Sequence, residues 1–195
     1  IHDFTRERIE TRTDVATRLL YSTDASIYQI EPLGVAFPRT ADELSAAVAL
    51  AARHRVPVLA RGSGSSLAGQ AIGAALILDC ARYLNHILEI NPETATATVQ
   101  PGVILNSLNK AASAYQLQFG PDPASGERAS LGGSIANNAT GAHSIVYGMA
   151  ADHLLCADVL LGDGEQATLQ EISLADAARR ATHQNDAESH LYRAC

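Results

Sequence analysis

The chain has 195 residues, 47% of them hydrophobic and 18% charged, with a net charge of −7. That length suits one domain or two small lobes around a shared cleft, and the composition is that of a globular protein. The acidic balance argues against nucleic acid or an anionic membrane as the main partner, and no apolar run approaches the roughly 20 residues that span a bilayer.

In chain order, Phe4, Ile9, Val15, Leu19 and Leu20 lie among charges over residues 4–21 and predict one or two surface helices, ended by Ser22-Thr23-Asp24-Ala25-Ser26. Gly34-Val35-Ala36-Phe37 reads as a strand running into Pro38. Thr40 and Glu43 form a capping box, and Leu44, Ala47, Val48 and Ala51 give the helix it opens an apolar stripe to near His54. Val56–Ala60 and Ala74–Leu78 read as two buried strands, so the region has the organisation of a βαβ unit. Ile87–Ile90 and Thr94–Val99 alternate with period two around Asn91-Pro92-Glu93, which predicts an antiparallel hairpin. A helix over residues 103–116 follows, with Val103, Leu105, Leu108 and Ala112 as its core positions. Leu154–Leu161 and Gln166–Leu169 read as strands around a Gly162-Asp163-Gly164 turn, and the tail from Ser173 as helix whose last part is poorly ordered.

Between the two buried strands lies Arg61-Gly62-Ser63-Gly64-Ser65-Ser66-Leu67-Ala68-Gly69-Gln70, with three glycines and three serines in residues 61–69. So little side chain leaves backbone N–H groups able to face a ligand, and a run of them forms a nest for phosphate oxygens. Arg61 reads as a fixed positive charge at its mouth. The segment is neither a P-loop, since Gln70 follows Gly69, nor G-x-G-x-x-G, since Leu67 stands where the third glycine belongs. Ten of the 14 glycines fall in this window (residues 62–73) and in a second one over residues 120–148. The second predicts a short helix from about Gly132 whose N-terminus points into the cleft, with Asn137 and Asn138 offering side-chain amides. Two such segments on differently built lobes suit a long, thin ligand such as a dinucleotide.

The order and spacing of Phe37-Pro38-Arg39-Thr40, the first glycine segment, Gln100-Pro101-Gly102-Val103, Gly120-Pro121-Asp122-Pro123, the run from Leu131 to Gly141 and Tyr147–His153 resemble the FAD-binding domain of the p-cresol methylhydroxylase / vanillyl-alcohol oxidase superfamily. The likeness is strongest to its D-lactate / D-2-hydroxyglutarate / glycolate dehydrogenase branch. It implies an α+β, two-lobed domain: an N-terminal helical segment (1–30), a small βαβ lobe carrying the pyrophosphate loop (31–85), and a mixed, mainly antiparallel lobe with helices (86–195), truncated at its C-terminal side. It implies FAD held by Arg61, Gly62, Ser63, Gly64, Ser65, Ser66, Gly69 and Gln70 on one side. On the other stand Pro121, Gly132, Gly133, Ala136, Asn137, Asn138 and Gly141, with His143 where relatives carry a basic residue. The first loop holds no His, so the FAD is expected to be dissociable. The substrate implied is a small 2-hydroxy acid, and Ser22–Gln29 resembles members that carry an iron–sulfur cluster in a region absent from this chain. The alternative is a non-redox module of the same fold holding another phosphate-bearing ligand.

His54, His86 and His153 show no spacing typical of a metal site or triad, so no catalytic residue is named. Cys80 and Cys156 read as small core residues in a reducing compartment, which points to the cytoplasm, with peripheral attachment to the inner face of a membrane compatible. The chain has no starting Met and no signal-like apolar core, and nothing marks a natural end at Cys195, so it reads as the first part of a longer enzyme.

Overall fold

A computed structural model describes Phe4, Glu7, residues 9–183 and residues 187–194. Its first sheet has four strands: β1 (Thr11–Arg12), β2 (Gly34–Ala36), β3 (Val58–Arg61) and β4 (Leu76–Asp79), in the spatial order β1-β2-β4-β3. β4 lies between β2 and β3 and is parallel to both; β1 is antiparallel to β2. Every residue of β2 and β4 is buried, as expected for strands covered on both faces. Alternation sorts their side chains. Ala36, Leu76 and Leu78 face helix α2 (Ala41–Arg53) and meet its Ala47, Val48 and Ala51, whereas Val35, Phe37 and Ile77 face the other way, toward Tyr21, Leu59 and Tyr83.

α2 begins where predicted. The Thr40 hydroxyl accepts from the Glu43 N–H at 3.1 Å, and the Glu43 carboxylate reaches back one residue beyond the cap to the Arg39 N–H at 2.8 Å. The N-terminal region departs from the expected helices. Residues 5, 6 and 8 lie outside the described residues, Thr11–Arg12 pairs with β2, and helix α1 covers only Val15–Leu20, capped by Asp14. Register with β2 overrides helical periodicity there, because pairing completes an otherwise open sheet edge.

The second region is mainly antiparallel, as expected, but divided into two hairpins, β5 (Ile87–Asn91) with β6 (Thr96–Val99) and β7 (Cys156–Leu160) with β8 (Gln166–Gln170). Its core joins Val103, Leu105 and Leu108 of the α3 region (Leu105–Ala112) to Leu131, with Ile87, Ile90, Val99 and Phe119 packed around them. Short helices α4 (Leu131–Ala136) and α5 (Ser144–Tyr147) follow, and α6 (Leu174–His183) and α7 (Ala187–Ala194) close the chain. Cys156 is exposed at the start of β7, not in the core: β7 has a wet face, and position 156 falls on it. Cys195 lies outside the described residues. Among the described residues no helix is long and apolar enough to cross a membrane.

Candidate functional site

β3 ends at Arg61 and β4 at Asp79, on the carboxyl edge of a parallel pair, where ligands of open α/β sheets bind. The first glycine segment leaves that edge. It meets the second glycine segment across a groove of about 690 Å³ lined by both. Of the predicted site residues, Arg61, Gly62, Ser63, Gly64, Ser65, Ser66 and Gln70 line one wall, and Gly132, Gly133, Ala136 and Asn137 the other.

The walls touch at two points. The Ser63 hydroxyl donates to the Arg128 carbonyl. A Cβ added at Gly62 would land on the Ser130 hydroxyl and 3.0 Å from its Cβ, so only glycine permits this approach. The Ser66 hydroxyl bonds the Gln70 side chain and accepts from the N–H groups of Ala68 at 3.2 Å and Gln70 at 3.3 Å, which folds the end of the loop. Among the described residues, the N–H groups of Ser63, Gly64, Ser65, Ser66 and Leu67 have no protein acceptor. These five consecutive donors beside a groove form the nest that suits an anionic bridge. The opposite wall adds Ser134, buried, whose hydroxyl has no partner among the described residues. Both observations fit a phosphate-bearing ligand: the loop donors are uncommitted beside the groove, and the buried Ser134 hydroxyl is costly to leave unpaired unless a ligand takes it.

The structure gives three placements that the sequence did not. The Arg61 guanidinium is not an open charge at the mouth. Its Nη1 donates to the carbonyls of Ala71 (3.0 Å) and Tyr21 (3.3 Å), its Nη2 to that of Thr23 (2.9 Å), and it stacks on the Tyr21 ring. Burial pulls its pKa below the usual arginine value, opposed by Tyr21, Asp24 and Asp79. The N-terminus of α4 is not open either, because the N–H groups of Leu131 and Gly132 donate to Val103 and Pro101 at 2.8 Å each. Nor do Gly69, Pro121, Asn138, Gly141 and His143 line the groove. Asn138, at φ +45°, donates its side-chain amide to the Met149 sulfur, and its Oδ1 accepts from the Ala151 N–H. Gly141 packs on the Asp122 backbone, and His143 binds the Asp122 carboxylate through its N–H (3.0 Å) and Nδ1 (2.5 Å). Pro121 is fully buried, and Gly69 lies against the Tyr28 ring.

The sequence reading assigned no site role to Cys80, Pro101, Ser125, Ala129, Ser130 or Ser134, all in the lining. Cys80 was findable, since it follows β4 directly and sits on the same carboxyl edge as the loop. Its thiol is pushed up to about 11 by burial and by Asp79, so it is a packing group and not a nucleophile. Among the described residues no group of His, Cys, Asp or Glu forms a metal site.

Two aspartates behind the walls carry a pH dependence. Burial works against ionised Asp24, but hydrogen bonds from Ser26 and Ala71 and the nearby Arg61 hold its carboxyl below the usual range. Hydrogen bonds from the His143 backbone and ring do the same for Asp122. With folded values depressed, their contribution is complete above the unfolded aspartate range and is lost as pH falls through the folded values. The urea midpoint is therefore expected to drop below about pH 4, and less steeply in Asp24→Asn and Asp122→Asn chains. An equally steep drop in both variants would remove these groups from the acid response.

The fold and groove define a class: an α+β domain in which two glycine-rich segments, one leaving the carboxyl edge of a small sheet, present a nest of backbone amides. Residues 32–170 match the FAD binding domain family, and the chain belongs to that family, whose cofactor is FAD. It is 40% identical over 159 residues to D-2-hydroxyglutarate dehydrogenase of Escherichia coli (strain K12), covering 80% of this chain and 16% of that protein. It is 39% identical to glycolate oxidase subunit GlcD of Bacillus subtilis (strain 168), covering 77% of this chain and 32% of that protein. The chain thus spans between 16% and 32% of the length of these two relatives. A solved structure of alkyldihydroxyacetonephosphate synthase, in its P1 crystal form, superposes with a TM-score of 0.75 at 23% identity over 88% of this chain and 38% of that one, a likeness of fold. The family and the α+β architecture expected from the motifs are therefore borne out.

Proposed function

We propose that this chain is the FAD-binding portion of a flavin-dependent oxidoreductase that oxidises a D-2-hydroxy acid, of the lactate, 2-hydroxyglutarate or glycolate type, to the 2-oxo acid. The nest carries this reading: five successive N–H groups without protein acceptors, in a groove shared by both glycine segments of a family that binds FAD. The two relatives named for 2-hydroxy acid chemistry supply the substrate class.

The N–H groups of Ser63–Leu67 hold the pyrophosphate. Gly62, Gly132 and Gly133 keep the walls low enough for a ligand to lie along them, and Ser134 offers its hydroxyl. Pro121, Asn138, Gly141 and His143 act behind the wall, fixing the backbone that bears Asn137 and Ala136. Bound FAD supplies the hydride acceptor for the hydroxy acid's C2 hydrogen. No described residue is assigned as the base that takes the hydroxyl proton. Binding through hydrogen bonds makes the FAD dissociable. We place the division between the two lobes at residues 85/86 and the protein in the cytoplasm.

FAD added at about 100 times its Kd is expected to stabilise the chain by about 2.7 kcal/mol, and to raise its melting temperature by roughly 5–11 °C. Parallel scans with ADP, FMN and a nucleotide sugar test the ligand class. A shift with a nucleotide sugar and none with FAD overturns the flavin reading, as does no shift at millimolar FAD.

A further inference from the structure

Residues 21–28 precede residue 32, where the family match begins, yet they contact the glycine loop along its length. At its start, Arg61 reaches the carbonyls of Tyr21 and Thr23. At its middle, the Ala25 N–H donates to the Gly64 carbonyl at 3.0 Å. Near its end, the Asp24 carboxylate accepts from the Ala71 N–H at 3.4 Å, and the Tyr28 ring lies 3.1 Å from where a Cβ at Gly69 would stand. Asp24 is itself fixed by the Ser26 N–H at 2.8 Å, and Tyr21 by its hydroxyl bond to Asp79 on β4.

The pattern of donors and acceptors is selective. Within residues 62–69 the strap takes a carbonyl, that of Gly64, and packs against Gly69; the one loop N–H it uses is that of Ala71, beyond the nest. The N–H groups of Ser63–Leu67, residues that line the groove, are left without protein acceptors among the described residues. A loop of glycines and serines has the most conformational freedom to lose when a ligand orders it, and contacts that order it beforehand strengthen binding.

We infer that residues 21–28 are a preorganising strap for the cofactor loop, with Asp24, outside the groove lining, as a positioning residue for FAD affinity and Arg61 as the anchor that ties the strap to the start of the loop. This rests on the FAD reading of the groove, and its test separates the two.

In the 195-residue chain, Asp24→Ala and Arg61→Lys are each expected to raise the FAD Kd about tenfold, read by flavin fluorescence. The Ala25 and Ala71 amides exchange faster in ligand-free Asp24→Ala than in the parent, while the melting temperature moves by no more than about 3 °C. Asp24 accepts from Ser26 through one oxygen and from Ala71 through the other; Asp24→Asn keeps one of these acceptors and is expected to raise the Kd by about threefold, less than Asp24→Ala does. Parental affinity in both Asp24→Ala and Arg61→Lys overturns the strap, as does an equal loss in Asp24→Asn and Asp24→Ala. If Arg61→Lys does not fold, the Asp24 pair decides. If the parent binds no FAD, the cofactor reading falls and amide exchange alone decides: unchanged exchange at Ala25 and Ala71 in Asp24→Ala overturns the strap, and faster exchange sustains it.

Discussion

Gly62→Val is expected to weaken FAD binding by about 2–4 kcal/mol, or roughly 30- to 1,000-fold, while lowering the melting temperature little. The reason is the junction between the walls. A side chain at 62 would run into Ser130, which is 3% exposed, bridges to Ile104, and accepts the Ser134 N–H at 2.9 Å through its carbonyl. Ser130 is buried beside the second core region, so its side chain has little room to retreat. The glycine loop is rich in small residues with little side chain to pack, so it is the wall that moves, and it carries its uncommitted N–H groups away from the opposite wall. The control is Gly162→Ala, at a turn where an added Cβ meets nothing within 4 Å. Fluorescence titration of both variants with FAD decides the matter; a Gly62→Val chain that binds like the parent would remove the junction from the site.

Gly102→Ala is expected to cost about 3 kcal/mol of folding stability, a fall of roughly 6–12 °C in melting temperature. Here the neighbours are backbone. The added Cβ would land on the Cys80 carbonyl oxygen, 2.6 Å from the Leu84 carbonyl oxygen and 2.9 Å from the Ala81 Cα. None of these can swing aside as a side chain end would. The Gly102 N–H already donates to Leu84 at 2.7 Å, and the Cys80 N–H to Arg61 at 2.9 Å. The Pro101-Gly102 turn thus joins the second region to the end of β4, and widening it loosens both walls. Denaturant unfolding against the Gly162→Ala control measures the cost; a difference under about 1 kcal/mol would show that the turn tolerates displacement.

The two substitutions separate two uses of glycine that look alike in the sequence. Gly62 keeps two functional walls close, and Gly102 keeps two backbones close. Nothing in Gly-Ser-Gly or Pro-Gly distinguishes them, because the distinction lies in what stands opposite.

Several features were legible because they are local. The Thr40–Glu43 cap needs only four consecutive residues, and alternation in Val35-Ala36-Phe37 and Leu76-Ile77-Leu78 sorts neighbours onto opposite faces whatever the sheet's partners are. The second core set, Val103, Leu105, Leu108 and Ala112, was legible for the same reason and is buried. The two glycine windows were legible as stretches with little to bury, and that was enough to bring them to one groove.

By itself, then, the sequence determined the elements, their buried faces and the two side-chain-poor stretches, since each follows from periodicity, capping or composition within a few residues. Only the tertiary structure decided that β4 inserts between β2 and β3, that Thr11–Arg12 pairs with β2, that Arg61 gives its donors to carbonyls of residues 21, 23 and 71, and that Asn138 bonds Ala151 and His143 bonds Asp122. The physical reason is the same in each case. A hydrogen-bonding group is committed to whichever partner the fold brings within reach, and those partners lie as far apart in the chain as Gly34 and Leu76.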